Sequence, residues 1–387
     1  MKTQKAMPKS GPAAAARPGA RVLIDARPLQ GPSGARGIGS YLRGLLSGLL
    51  ELGFDRHVAL LIDGRLAAPE VPAGAFVANA IRPRYSGRLG LVEEAVTLGA
   101  SLERIRPALY HATTLALPGR SPVPVLVTLH DLIPWAVGGR GMWGERSRWW
   151  LGKRLLRRAD RVLAVSEHVA SDARRLAGVS PDRLQVVPEG VAPGFRPAPG
   201  AAARVAQRHG LRGPYLFYVG ALDARKSPAG LLRAWHAARA AGADVELVLA
   251  GSPGKQAPAE LPGARRLGHV DHAALVDLYS AAACLVFPSR YEGFGLPLLE
   301  AMACGCPVVA YRNSSITEVV DQAGVLVEDG DPDALGRAAA LIVCEPERAA
   351  ALRAAGLRRA RDFSWRKAAV ATIAAYRRLG FKASGGS

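Results

Sequence analysis

Glu292 and Glu300 bracket the seven residues Gly293-Phe294-Gly295-Leu296-Pro297-Leu298-Leu299. An ionised carboxylate offers only acceptor oxygens, so two of them in one short stretch suit a ligand rich in hydroxyl groups. Gly293 and Gly295 permit a tight turn with unusual backbone angles. Pro297 fits the first turn of a helix, where its missing N–H is not needed. Gly305 and Pro307 then end that helix. The free N–H groups where the helix begins, around Gly293, Phe294, Gly295 and Leu296, make a site for an anion. The plainer reading is an ordinary strand-to-helix turn with a capping glutamate. Upstream, Arg225 and Lys226 closely follow the apolar run 215–219, in the position a phosphate clamp needs. Arg grips phosphate with two donors and Lys acts as a compact charge. The alternative is a solvated basic loop.

These residues need elements to hold them. The apolar run 283–287 predicts a strand before Glu292, and Val308-Val309-Ala310 starts the next. Along the chain, strands read at 21–26, 57–62, 75–81, 108–110, 123–129, 162–165, 184–187, 215–219, 245–250, 283–287 and 325–327. Helical spacing appears at 41–50, 91–105, 143–158, 167–176, 228–240, 273–281, 332–343 and 365–379. The strands are continuous apolar runs rather than alternating ones, which marks parallel sheets covered on both faces. Strand and helix alternate throughout both halves, so the fold class is α/β with two doubly wound, Rossmann-like domains. Residues 188–214 hold five prolines and several glycines and are the best boundary. In such sheets ligands lie beyond the carboxyl ends of strands. The loops there are 30–39, 130–135, 166–168, 220–227 and 288–296.

Composition narrows the class. The chain has 387 residues and a formal net charge of +19. That charge biases partners toward anions, namely nucleotide phosphates, anionic lipid surfaces or nucleic acid. No apolar run reaches the ~18 residues that span a bilayer. Residues 1–19 read as a disordered tail with no signal-peptide core. Four cysteines, Cys284, Cys304, Cys306 and Cys344, lack metal spacing and read as buried free thiols, which suits a reducing cytosol. Glu328, Asp329, Asp331 and Asp333 look like a metal cluster but lie at the start of a helix, where they cap it.

Taken together, Glu292 to Glu300 with its Gly-Phe-Gly, Gly37-Ile38-Gly39-Ser40-Tyr41, His130-Asp131-Leu132-Ile133-Pro134, Val165-Ser166-Glu167-His168 and Tyr218-Val219-Gly220 with Arg225-Lys226 make this chain similar to a family. It resembles the GT-B fold, retaining glycosyltransferases of family 4, over about residues 20–380. The wording of 130–134 resembles the mannosyltransferase-like branch that builds bacterial surface polysaccharides. The resemblance implies an acceptor-side domain at 20–195, a nucleotide-sugar domain at 196–364, facing it across a cleft, and a helix at 365–381 crossing back to the first. It implies a hexose, on this wording mannose, moved from a GDP- or UDP-sugar to a hydroxyl of a lipid-linked or saccharide acceptor, with no cofactor and no metal. Glu292 would meet the sugar, and Glu300 the ribose. Gly293, Phe294, Gly295 and Leu296 would hold the diphosphate with Arg225 and Lys226. His130 would meet the donor sugar, and Gly37 and Gly39 would let the backbone approach the phosphates.

Several readings stay open on the residues themselves. His130 is either a cleft residue or a packed histidine bonded to Asp131. Ser166 either caps a helix or faces the cleft. Ser314, Ser315 and Glu318 follow a strand near the expected nucleotide. Whether Glu292 is a nucleophile or a positioning group is undecided. The basic, Trp-containing segment from Arg140 to Arg161 is either an anionic membrane seat at the inner face of the plasma membrane or a solvated helix with tryptophans turned inward. Two rival functions are a nucleotide-sugar epimerase of the same fold and a basic nucleic-acid binder. The first predicts product without an acceptor, and the second predicts salt-sensitive DNA binding.

Overall fold

The computed structural model describes residues 21–35, 37–72, 77–81, 90–137, 143–252 and 261–383. The N-terminal tail, the start of the strand expected at 75–81 and Arg140 lie outside the described residues. Two sheets organise the rest. The first contains β1 (Val22–Asp25), β2 (Val58–Asp63), β3 (Val77–Ile81), β4 (Leu109–Ala112), β5 (Val125–Leu129), β6 (Arg161–Ala164) and β7 (Leu184–Val186). The second contains β8 (Tyr215–Val219), β9 (Glu246–Ala250), β10 (Arg265–Gly268), β11 (Cys284–Phe287), β12 (Val308–Tyr311) and β13 (Val325–Val327). Their orders are β3-β2-β1-β4-β5-β6-β7 and β10-β9-β8-β11-β12-β13. The pairings are parallel throughout these strands.

The apolar runs explain this layering. All five residues of β5 and all four of β11 are buried, because helices cover both faces of each sheet. In both sheets the strand order reverses at one point, between β1 and β4 and between β8 and β11. A crevice opens where successive connections leave in opposite directions, so ligand sites fall beyond the carboxyl ends of those strands.

Helix Trp365–Arg378 leaves the second domain and packs on helix Gly37–Glu51 of the first. Gly44 and Gly48 make that approach close. A Cβ at Gly44 would lie 2.0 Å from the Trp365 ring, and one at Gly48 would lie 2.4 Å from the Trp365 carbonyl oxygen. The two passages of the chain between domains run side by side, paired by a bridge between Val191 and Ser364.

Some elements differ from the sequence reading. Helix Pro346–Ala360 was not anticipated. Of its residues only Gly356 and Ala360 are buried, so its Ala- and Arg-rich sequence shows no strong apolar stripe. Helix Ala201–His209 lies within the stretch expected to be irregular, set between two left-handed glycines, Gly200 and Gly210. Strand β10 is an exposed edge with two arginines and has no apolar signature. Short helices Ile133–Ala136 and Ile316–Val320 also went unread. Cys344 is exposed, contrary to the buried thiol expected, because it ends its helix at the surface; the other three are buried and all four are free.

Candidate active site

The loop after β8 and the loop after β11 meet where the strand order of the second sheet reverses. Asp223 accepts from the Lys226 N–H and so shapes the single 3-10 turn Ala224–Lys226. That turn delivers Arg225 and Lys226 to Glu292. Arg225 Nη1 donates to Glu292 Oε1 at 2.8 Å, and Lys226 Nζ donates to the same oxygen. Ser289 Oγ adds a third donor there at 2.5 Å. The Lys226 ammonium also lies 4.5 Å from the centre of the Phe287 ring. Arg225 reaches the Tyr291 carbonyl and the Ser289 hydroxyl as well.

Electrostatics follow from this geometry. Burial works to raise the Glu292 carboxyl, but Lys226 and Arg225 outweigh it and hold the carboxyl at about 2. Burial lowers the Lys226 ammonium, against the pull of Glu292. Asp223, at 4.0 Å from Arg225, is the more exposed of the two carboxylates that face these cations.

The glycine loop is held from behind. Ser314 Oγ accepts from the Glu292 N–H at 3.0 Å, and the single Ser315 hydroxyl hydrogen is shared between the carbonyls of Glu292 and Phe294, each 2.9 Å from Oγ. Gly295 has φ +103° and leads into helix Leu296–Ala303. A Cβ on Gly293 would fall 1.8 Å from the His130 carbonyl oxygen, so this glycine lets the two domains touch. Glu300 lies within the helix. Its Oε2 accepts from the Tyr279 hydroxyl at 3.0 Å. Burial pushes the Glu300 carboxyl up to about 7, the Tyr279 bond opposes this, and Glu189 adds to the rise.

From the first domain, β5 delivers His130. Its Nδ1 lies 3.1 Å from Glu189 Oε1, not on Asp131, whose carboxylate instead accepts from the Ile133 N–H. The packed-histidine reading therefore had the wrong partner. Ser166, after β6, takes the capping role and adds a contact between the domains. It caps helix Glu167–Ala177 through the Val169 N–H and donates to the Gly293 carbonyl at 2.8 Å. Glu318 bridges the domains too, accepting from the N–H groups of Glu167 and His168 at 2.8 and 2.7 Å. Its carboxylate thus rests on a helix N-terminus. Tyr291 donates to Asp172 at 2.7 Å across the same contact.

Gly37 and Gly39 do not form the expected open loop. Both lie in helix Gly37–Glu51. Gly37 is exposed with open space around it, and a Cβ on Gly39 would meet the Gly34 carbonyl at 2.0 Å. Gly39 is glycine because the turn Pro32–Ala35 packs on it. The acidic run after β13 serves its helix: Asp331 accepts from the Ala334 N–H, and Asp333 pairs with Arg233. The sequence reading passed over Glu189, Ser289, Tyr279 and Tyr291. Glu189 did leave a signal, a lone carboxylate between Pro188 and Gly190 just past β7.

The first domain has its own crevice beside its strand-order reversal. A cavity of about 250 Å³ is lined by Asp25, Arg27, Asp63, Glu94 and Thr114, among others. Arg27 is bound to Asp25 and Glu94, at 2.6 Å each.

Two parallel-sheet Rossmann-like domains facing across a cleft, with charged loops meeting at the carboxyl ends of their strands, make this a GT-B fold. Comparison with known proteins identifies the domains. Residues 35–195 match the model of Glycosyltransferase Family 4, and residues 213–344 match that of Glycosyl transferases group 1, so both halves are glycosyltransferase domains. O-antigen chain mannosyltransferase B of Escherichia coli is 33% identical over 230 residues, 56% of this chain and 60% of that protein. D-inositol 3-phosphate glycosyltransferase 2 of Catenulispora acidiphila is 37% identical over 242 residues, 57% of this chain and 56% of that one. The chain thus spans little more than half the length of these relatives. Among solved structures, sucrose-phosphate synthase from Thermosynechococcus elongatus superposes with a TM-score of 0.76 at 25% identity, covering 93% of this chain and 99% of that one. WaaG, a glycosyltransferase involved in lipopolysaccharide biosynthesis, gives 0.72 at 15% identity over 94% and 100%, a likeness of fold.

Proposed function

We propose that this chain is a retaining glycosyltransferase that needs no metal and moves a hexose from a nucleoside diphosphate sugar to a hydroxyl of a saccharide or lipid-linked acceptor. One observation carries the reading. Arg225 and Lys226 converge with Glu292 at the strand-order reversal of the second sheet. When the glycosidic bond breaks, negative charge builds on the departing diphosphate, and fixed cations placed there stabilise it without reorganising. In that role Arg225 and Lys226 hold the diphosphate with the N–H groups of Gly293 to Leu296, and Glu300 receives the ribose hydroxyls. The likeness to an O-antigen chain mannosyltransferase supports mannose as the sugar and surface polysaccharide or glycolipid synthesis as the setting in this reading. GDP- and UDP-sugars are the donors to test, and UDP with glucose is the pair named for one structural neighbour, HepE.

Glu292 serves as a positioning group in this scheme. Three donors, from Arg225, Lys226 and Ser289, already occupy its Oε1. A carboxylate so stabilised is a poor nucleophile, and its charge steadies positive character at the sugar carbon. Attack on the same face as the leaving group then accounts for retention. Intact-mass analysis after incubation with a 2-fluoro sugar donor is expected to find no adduct on Glu292; an adduct there would make it the nucleophile.

The acceptor is proposed to lie on the first domain's side, where the cavity beside Asp25, Asp63 and Glu94 favours a neutral polyhydroxylated group. Membrane seating has its own support. On helix Trp143–Leu156, Trp143 and Trp150 are 68% and 54% exposed, and on helix Gly90–Ile105, Val92 and Val96 are 55% and 69% exposed. Arg154 stacks on Trp150 at 5.0 Å. Aromatic and basic groups together at a surface suit the cytoplasmic face of an anionic bilayer. Flotation with anionic liposomes tests this: the chain is expected to float, and Trp143→Ala with Trp150→Ala to stay behind. Equal behaviour of both proteins would end the membrane proposal.

The function itself is tested by thermal shift against nucleoside diphosphates and their sugars. Stabilisation by a GDP or UDP species, lost on Arg225→Ala, is the expected result. No response to any nucleotide would overturn the reading, and product formed without acceptor would favour an epimerase.

A further inference from the structure

Glu189 has no part in the scheme above, yet it is a buried carboxylate bonded to His130. The carboxylate is 4% exposed and follows β7 in the segment that joins the two domains. Among the described residues its ion-pair partner is His130 alone. Its field reaches both domains, since it adds to the rise of Tyr41 in the first and of Glu300 in the second. The His130 ring is held from another side as well. The Tyr41 ring meets it edge-on, with centroids 4.6 Å apart. Tyr41 is in turn fixed through its hydroxyl to Thr128 Oγ1 at 2.7 Å, and Thr128 to His111 Nε2 at 2.8 Å. His111 Nδ1 meets the Tyr376 hydroxyl at 2.6 Å, so the chain of polar contacts ends on helix Trp365–Arg378. With Nδ1 on Glu189 and the ring pinned by Tyr41, one polar atom of His130 is left. Nε2 is buried and has no hydrogen-bond partner.

A carboxylate can only accept, so Nδ1 must be the donor in the His130–Glu189 pair. In a neutral imidazole that puts the single proton on Nδ1 and the lone pair on Nε2. A buried acceptor without a donor is costly in a folded protein. We propose that Glu189 is a positioning residue that locks His130 in the Nδ1–H tautomer, so that Nε2 accepts the hydrogen of a substrate hydroxyl. A lone pair backed by a carboxylate repels phosphate and welcomes an O–H donor. His130 is therefore a reader of sugar hydroxyls, and the diphosphate is left to Arg225 and Lys226. This assignment of the ligand rests on the glycosyltransferase reading; the tautomer lock does not.

The test uses the full chain labelled with ¹⁵N-histidine, with the His130 ring signals identified by their loss in His130→Gln. In the wild type, Nδ1 is expected at the protonated and Nε2 at the unprotonated ring-nitrogen position. Glu189→Ala is expected to move the proton toward Nε2, and Glu189→Asp to restore the wild-type pattern in part. A wild-type His130 with its proton on Nε2 would overturn the proposal even if every Glu189 variant failed to fold. In turnover, Glu189→Gln is expected to lower kcat/KM about tenfold or more, as loss of an orienting partner does elsewhere, with nucleoside diphosphate affinity unchanged when measured well above the Glu300 titration, where that carboxyl is ionised in both proteins. In a His130→Ala background Glu189→Ala is expected to add nothing, since residues that act through one another are not additive. Additive losses, or wild-type kinetics in Glu189→Ala, would show that Glu189 does not act through His130. Failure of the glycosyltransferase reading looks different: the wild type would bind no nucleotide, while the tautomer signals would still report on Glu189.

Discussion

Glu300 and Glu292 are both largely enclosed carboxylates, yet they respond to acid in opposite senses. Burial holds Glu300 at about 7, above its ordinary value near 4.5, so between those values the folded state binds more protons than the unfolded one. Its contribution to stability therefore falls as the pH rises through that window. Ribose hydroxyls need its carboxylate form. Nucleotide binding is expected to release a proton near pH 6 and to tighten as the pH rises through 7. Calorimetry in buffers of different ionisation enthalpy measures that release, and Glu300→Gln should abolish it; a wild type with no buffer dependence would contradict the ribose assignment. Glu292, held at about 2, contributes stability that is full above about 4.5 and lost as the pH falls toward 2. Lys226→Ala leaves that charge less well paired. Arg225 and Ser289 still hold it, so the loss expected at pH 7 is that of one hydrogen bond to a charged group, about 1.5–3 kcal/mol, and less at pH 4, where the carboxyl can take a proton. Denaturant melts at the two pH values would show it.

At the scale of elements, the strands around the site were legible because buried parallel strands must be continuously apolar. So were Arg225, Lys226 and Glu292, in loops that follow strands, and Glu300, one turn into the helix after the glycine loop. The partners that come from far along the chain were not. Glu189 and His130 are 59 residues apart, and Ser166 and Gly293 are 127 apart. Nothing local announces such pairs. The glycines of helix Gly37–Glu51 misled for a related reason: Gly39 answers to a neighbouring carbonyl, and glycine looks the same whether its space is filled by a ligand or by backbone. Two substitutions separate these cases. Gly39→Ala drives a methyl into the Gly34 carbonyl and is expected to lower the melting temperature with little change in nucleotide affinity. Gly293→Ala drives one into the His130 carbonyl and is expected to cost turnover more than melting temperature, because it parts the domains. Thermal melts and kinetics on the two variants would check this, and matching profiles would refute it.

For the whole molecule, a few polar contacts hold the domains together at the site. Glu318 on the N–H groups of Glu167 and His168, Ser166 on Gly293 and Tyr291 on Asp172 all cross the gap. Each can be broken without harming either core. Glu318→Ala combined with Tyr291→Phe is expected to enlarge the radius of gyration in solution scattering and to raise the KM for donor, with both domains still folded. An unchanged radius would mean that the domains are held elsewhere.

Helix Trp365–Arg378 has a consequence for how the protein is made. It completes the first domain, filling the Gly44–Gly48 face and closing the polar chain through Tyr376, but the ribosome delivers it only after the whole second domain. At ordinary elongation rates the first domain waits roughly ten to forty seconds after β7 emerges before its final helix arrives. During that interval the second domain can finish while the first shows an uncovered apolar surface, a target for chaperones and for its own kind on a crowded polysome. A nascent chain stalled before residue 365 should therefore be protease-sensitive in its first domain and resistant in its second, an order of maturation opposite to the order of synthesis.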